Sequence, residues 1–147
     1  MIVLKKNEGK AMGDKYSEIL KNRNVKSSYQ RIKILEYLDT NPCHPYADKI
    51  YYEIQKTIPT ISKSTVYSTL KAFVNAGIVR EITIEDNKIR YEYNLKEHGH
   101  FKCEVCGRIY DFNIDFGRAE YDELRGFYIK EKDIFFKGIC SKCLSAE

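Results

Sequence analysis

Two Cys-x-x-Cys pairs, Cys103/Cys106 and Cys140/Cys143, constrain this chain more than any other feature. Each two-residue gap suits a tight knuckle that aims both sulfurs at one ion. Gly107, directly after the first pair, fits a turn that needs positive φ. Together the pairs supply four thiolates to one tetrahedral zinc. A second signature, His98-Gly99-His100, lies just before the first knuckle. On a strand both imidazoles share one face, while Cys103 has the opposite parity. The histidines are therefore expected to serve a different site from the cysteines.

A chain of 147 residues is one large domain or two small ones. Its apolar content of 43% is enough for a core. Two half-sized cores would be thin, and a structural metal is a common remedy. The formal charge of +4 is unevenly spread. Residues 1–94 carry 16 Lys/Arg against 11 Asp/Glu, a net +5, and residues 95–147 carry 9 against 10, a net −1. A basic N-terminal part is the electrostatic footprint of nucleic-acid contact. No apolar run approaches the roughly 18–20 residues that span a bilayer, and Ile2-Val3-Leu4 is too short for a signal-peptide core. A cytoplasmic location without membrane contact is expected. In that reducing compartment the cysteine pairs read as metal ligands rather than disulfides. The fifth cysteine, Cys43, is expected to be a small buried residue.

The chain opens with a Lys-rich leader, residues 1–13, expected to be partly disordered. A short helix is expected over Asp14–Lys21, with Tyr16, Ile19 and Leu20 as its apolar face. Ser27 or Ser28 offers an N-cap for a helix to about Asp39, whose apolar stripe is Ile32, Ile34, Leu35 and Leu38. Asn41-Pro42-Cys43-His44-Pro45 breaks it. Ala47, Ile50, Tyr51 and Ile54 mark one face of a helix from Tyr46 to about Thr57. Ser62 caps a fourth helix that stops at Gly77, with Val66, Leu70, Phe73 and Val74 inward. Val79–Glu85 and Lys88–Asn94 alternate like two strands of a hairpin, with residues 85–88 as its turn. Beyond Asn94 strands are expected at Gly99–Cys103, Arg108–Ile114, Tyr128–Lys130 and Ile134–Ile139. A helix over Asp115–Gly126 would turn Phe116, Ala119 and Leu124 inward.

Short helices followed by a two-stranded hairpin make a winged-helix arrangement. The fourth helix stands where a recognition helix would. Its outer face presents Lys63, Ser64, Thr65, Tyr67, Ser68 and Lys71: hydroxyls for phosphates and bases, ammonium groups for phosphates, and a ring for a thymine methyl. The expected fold is α+β. A winged-helix DNA-binding domain over residues 14–94 precedes a small α/β domain over 95–147 that carries the four-cysteine zinc site.

The order Gln30-Arg31, Cys43-His44-Pro45, Ser64-Thr65-Val66-Tyr67, His98-Gly99-His100 and the two cysteine pairs resembles the ferric uptake regulator family of dimeric, metal-dependent repressors. Within that family it is most similar to the peroxide-sensing branch. The resemblance covers roughly residues 14–143. It implies a homodimer joined through the C-terminal domain, a palindromic double-stranded DNA operator, and a regulatory Fe(II) or Mn(II). Matched position by position, the ligands of that ion would be His44, Glu92, His98, His100 and Asp111, a set of imidazoles and carboxylates suited to those metals. It further implies that peroxide acts through Fe(II)-catalysed oxidation of a ligand histidine such as His44 or His98. The chain departs from the family pattern at Tyr29, where proline is common, and at Gly99, where a larger residue is usual. Asp111 matches the peroxide branch, whereas Glu92 is more typical of the iron branch.

Other readings of these residues differ in what they predict. An iron- or zinc-availability repressor of the same fold would ignore low peroxide. A metalloenzyme would need no recognition helix, and no substrate other than peroxide is implied here. A thiol switch would oxidise the cysteine pairs. From strand parity alone Glu92 would face solvent, and His44 could cap a helix or lie at the surface.

Overall fold

The computed structural model describes residues 13–85, 87–93, 96–115 and 121–146. The chain divides into two compact units, Met1–Leu95 and Lys96–Glu147. Residues 1–12 of the expected leader lie outside the described residues.

Among the described residues the first unit holds four helices and a hairpin. Helix α1 runs over residues 13–22. Asn24 then takes positive φ, and Val25 N–H donates back to the Leu20 carbonyl at 2.9 Å. Helix α2 spans Tyr29–Thr40, and the Ser28 hydroxyl caps it by accepting from Arg31 N–H. Helix α3 spans Ala47–Gln55 and α4 spans Lys63–Asn75. The Ser62 hydroxyl accepts from Thr65 N–H at the start of α4. At its end Gly77 takes φ +71°, its N–H donates to the Val74 carbonyl, and Ile78 N–H donates to that of Phe73. Those two bonds form a Schellman stop, which glycine adopts without a Cβ penalty. Ile34, Leu35, Leu38, Ile50, Ile54, Val66, Leu70 and Phe73 point into one core, closed by Tyr16 and Leu20 of α1.

Strand β1 (Arg80–Glu85) pairs antiparallel with β2 (Lys88–Glu92), with a register shift between Ile82 and Glu85. The helices and this hairpin make the expected winged helix. One further piece of pairing was not expected: Tyr46 bridges Arg90, and Tyr91 N–H donates to the Pro45 carbonyl at 3.0 Å. Residues 45 and 46 thus meet β2 through a single isolated bridge.

The second unit is a three-stranded sheet in the order β4-β3-β5. Strand β3 (His98–Cys103) pairs antiparallel with β4 (Ile109–Asn113) and parallel with β5 (Phe135–Gly138). Helix α5, Ser141–Ser145, closes the described chain and was not expected. Tyr128–Lys130 is not a strand. Tyr128 is 88% exposed, and the charged run that follows offers no apolar face to a sheet. The helix expected over residues 115–126 is corrected in part. Phe116 and Ala119 lie outside the described residues. The remainder holds only a 3-10 turn at Asp122–Leu124, and Leu124 is exposed rather than inward. Among the described residues no helix is long and apolar enough to cross a membrane.

Candidate metal centres and nucleic-acid interface

Strand β3 delivers Cys103 to the first knuckle. There Gly107, at φ +73°, folds its N–H back onto the Cys103 carbonyl at 2.9 Å. Cys140 sits in extended backbone just before α5, and Cys143 lies one turn into that helix. The four Sγ atoms lie within 4.8 Å of one another. Cys103 and Cys143 are 3.8 Å apart, and Cys106 and Cys140 are 4.0 Å apart. Tetrahedral Zn–S bonds of about 2.3 Å would set sulfurs about 3.8 Å apart, a spacing that these two pairs already approach. The backbone prepares it for charge. N–H groups of Cys106 and Cys140 donate to the Cys103 sulfur at 3.5 and 3.4 Å, and they pull its thiol down to about 6. The Tyr110 hydroxyl lowers that of Cys140. Cys143 is pushed up to about 12, chiefly by its bond to Cys140. Crowded sulfurs without a cation keep a proton, and a zinc ion would displace it.

In the same unit His98 and His100 occupy one face of β3, as the i, i+2 spacing requires, and both are buried. Their Nε2 atoms are 3.1 Å apart. His98 Nδ1–H donates to the Lys96 carbonyl, which can only accept, so the neutral ring carries no proton on Nε2. Asp111 lies opposite His100 in the β3–β4 ladder, with its Oδ1 3.5 Å from His100 Nε2 and 3.9 Å from His98 Nε2. Neighbouring ligand atoms around an octahedral ion at about 2.1 Å stand about 3 Å apart. The two imidazole nitrogens already meet that spacing.

The first unit holds the other two expected ligands. His44 Nε2–H donates to Glu92 Oε1 at 3.0 Å, and both residues are buried, at 4% and 6% exposure. The bridge between Tyr46 and Arg90 sets His44 opposite Glu92, two residues further along each strand. This corrects the solvent-facing reading of Glu92 from strand parity and the surface reading of His44. The segment 44–46 covers that side of β2. His44 takes φ +54°, a left-handed conformation that costs a non-glycine residue about 1 kcal/mol. Arg90 holds it there. Its Nη1 donates to the His44 carbonyl at 3.2 Å, and its guanidinium lies 4.3 Å from the Tyr46 ring centre. Arg90 and Tyr46 were missed in the sequence because nothing local marks a bridge between distant positions. Cys43, expected to be buried, is exposed, because it lies in the break between α2 and α3 rather than on the apolar face of either helix.

On α4, Lys63, Ser64, Tyr67, Ser68 and Lys71 are exposed and Thr65 is half-buried. The hydroxyls of Ser64 and Thr65 meet the capping Ser62 hydroxyl at 3.1 and 2.7 Å. Ser68 donates to the Thr65 carbonyl. Tyr67 donates its hydroxyl to Asp48 Oδ1 at 2.7 Å, and Lys63 Nζ lies 3.4 Å from the same oxygen.

A winged-helix unit followed by a unit with a four-thiolate zinc site and buried imidazoles beside a carboxylate defines a metal-dependent, DNA-binding regulator. The model of the ferric uptake regulator family matches residues 22–137. The chain belongs to that family of metal-sensing repressors, which act on DNA as dimers, and it is a regulator rather than an enzyme. It is 36% identical over 134 residues to the peroxide operon regulator of Bacillus subtilis, covering 88% of this chain and 92% of that protein. It is 33% identical to the peroxide-responsive repressor PerR of Staphylococcus epidermidis, over 84% of this chain and 85% of that one. Among solved structures, the Campylobacter jejuni peroxide stress regulator superposes with a TM-score of 0.65 at 30% identity, covering 86% of this chain and 97% of the other.

Proposed function

We propose that the chain is a cytoplasmic homodimeric repressor that senses peroxide. Cys103, Cys106, Cys140 and Cys143 hold structural zinc. His44, Glu92, His98, His100 and Asp111 hold a regulatory Fe(II) or Mn(II). The observation that carries this reading is a His/carboxylate group already assembled in each unit: buried His44 bonded to buried Glu92 in one, and buried His98 and His100 beside the exposed Asp111 in the other. Three imidazoles with two carboxylates suit Fe(II) or Mn(II) better than a thiolate-preferring ion. Metal held at His44 and Glu92 would tie the unit that bears α4 to metal supply, and so make the reading of a palindromic operator depend on that supply. Lys63, Ser64, Thr65, Tyr67, Ser68 and Lys71 then face the groove.

The names of the Bacillus and Staphylococcus relatives support the choice of peroxide as the signal. Bound Fe(II) would supply the electrons that cleave the peroxide O–O bond. The side chains' part is to keep an imidazole next to that chemistry. His98 is locked by the Lys96 carbonyl, and His44 by Arg90 on its backbone. A ring oxidised at either position is a poorer donor. The site then empties and the dimer releases its operator. Mn(II) would hold the same ligands without this outcome.

Peptide mass spectrometry after low peroxide tests the proposal on Fe(II)- and Mn(II)-loaded protein. The expected result is added oxygen on the peptides bearing His44 or His98/His100, with iron only. Unmodified histidines with metal-dependent DNA binding intact would replace peroxide sensing with metal-availability sensing. Oxidation confined to the cysteines would make the protein a thiol switch.

A further inference from the structure

An acidic residue on a surface meant for DNA needs a reason, because it repels phosphate. Asp48 is such a residue. It lies in the first turn of α3, is exposed, and points its Oδ1 at two side chains of the α4 outer face. Tyr67 donates to that oxygen at 2.7 Å, and Lys63, one turn earlier on α4, approaches it at 3.4 Å. Lys63 also lies 5.8 Å from the centre of the Tyr51 ring of α3. The first two turns of the two helices are thus joined on the solvent side by these contacts, separately from the apolar core beneath.

We propose that Asp48 is a positioning residue that sets sequence selectivity. It holds the Tyr67 ring at one angle to the α4 axis and spends the Lys63 charge internally until DNA arrives. This inference rests on the DNA-reading role of α4.

A tyrosine on an exposed helix face samples several rotamers, and a hydroxyl tied at its far end selects one. With the hydroxyl occupied, Tyr67 still exposes 45% of its surface, so what it offers the groove is its apolar ring. A ring held in place suits contact with a thymine methyl. Asp48 also partly cancels Lys63, which lowers the sequence-independent attraction to phosphate. Weaker general attraction and a fixed apolar reader both raise the ratio of operator to non-operator binding.

The test uses the full-length, Mn(II)-loaded protein. A duplex is first enriched from a random pool by the wild type, and a scrambled duplex of equal composition serves as reference. Asp48→Ala is expected to lower the enriched-to-scrambled affinity ratio about tenfold, with scrambled DNA bound as well as before or better. Asp48→Asn, which keeps the acceptor, is expected to retain most of the ratio. In a Tyr67→Phe background, Asp48→Ala is expected to change the ratio by less than about twofold, since the partner hydroxyl is gone.

A simple repulsive charge gives another pattern. Asp48→Ala and Asp48→Asn would then tighten both duplexes by the same factor, and that result overturns the inference. An undiminished loss of selectivity in the Tyr67→Phe background overturns it too, since the effect would not pass through Tyr67. Failure of the wild type to enrich any duplex with Mn(II) would overturn the DNA-reading role of α4 itself, a different failure from loss of coupling between Asp48 and Tyr67.

Discussion

Gly99, between the two strand histidines, is glycine because Phe112 takes its space. The two residues face each other in the β3–β4 ladder. A Cβ built on Gly99 would run into the Phe112 ring and stand 2.6 Å from Ile114 Cδ1. Phe112 cannot easily yield, since it stacks on Phe136 at 5.0 Å and 16°. Gly99→Val should destabilise the second unit by about 1–3 kcal/mol through overpacking. It should also weaken Mn(II) binding by shifting His98 and His100, and urea unfolding with a metal titration would measure both. A second residue-scale contact anchors α1. The buried Tyr16 donates its hydroxyl to Asp39 Oδ2 at 2.7 Å, and Lys15 joins from the surface. Burial pushes the Asp39 carboxyl up, but the Tyr16 and Lys15 bonds outweigh it and hold it below its usual range. A lowered native value contributes stability above the unfolded value of about 3.9, and that contribution is lost as pH falls through the native one. Tyr16→Phe should therefore cost about 1–2 kcal/mol at pH 7. The difference from wild type should shrink below about pH 4, which urea midpoints at pH 7 and pH 3 would reveal.

Among the elements, the short pairing of residues 44–46 with β2 matters most, because it turns two ordinary positions into a buried His/carboxylate pair. Its clamp is Arg90. Arg90→Ala removes the stack on Tyr46 and the bond to the His44 carbonyl, and leaves a left-handed histidine less supported. The expected cost is about 1–2 kcal/mol in unfolding free energy, with weaker Mn(II) binding in calorimetry. Unchanged Mn(II) affinity would show that His44 needs no clamp. This pairing also marks the limit of what the sequence discloses. The α2 to α4 stripes were legible because 3.6-residue periodicity is local: Leu35, Ile50, Val66 and Phe73 are buried as their spacing requires. The cysteine site was legible because a two-residue knuckle nearly dictates its geometry. Glu92 was misread by parity, since a strand's exposed face is exposed only if nothing distant pairs across it. Tyr128–Lys130 has strand propensity but no partner strand, and five-residue α5 is too short to show a period. His44, Glu92 and Asp111 came to notice through family resemblance, because a ligand set drawn from distant segments has no local pattern.

At the scale of the whole molecule the two units differ in what keeps them folded. The first has the apolar core that Tyr16, Leu35, Ile50, Leu70 and Phe73 share. In the second, the only buried apolar side chains among the described residues are Cys103, Ile109 and Cys140, and two of those are candidate zinc ligands. Meanwhile Tyr121, Phe127, Tyr128, Ile129, Phe136 and Ile139 are each more than 40% exposed. A unit so poor in core is one that zinc within and a second copy of the chain against its exposed aromatics would stabilise. Structural zinc in small domains contributes about 10–16 kcal/mol near neutral pH, more than such a core could replace. Chelation under reducing conditions should therefore unfold the second unit and leave the helical signal of the first. Circular dichroism would then show partial loss, and size exclusion would show monomers. Tyr128→Asp separates the two supports, because it charges the exposed aromatic surface without touching a zinc ligand. That variant should keep its zinc and its thermal transition at high dilution. It should elute as a monomer and bind operator DNA more weakly by at least about tenfold, since each half-site is then held alone. A Tyr128→Asp protein that remained dimeric would place the subunit contact away from this aromatic surface.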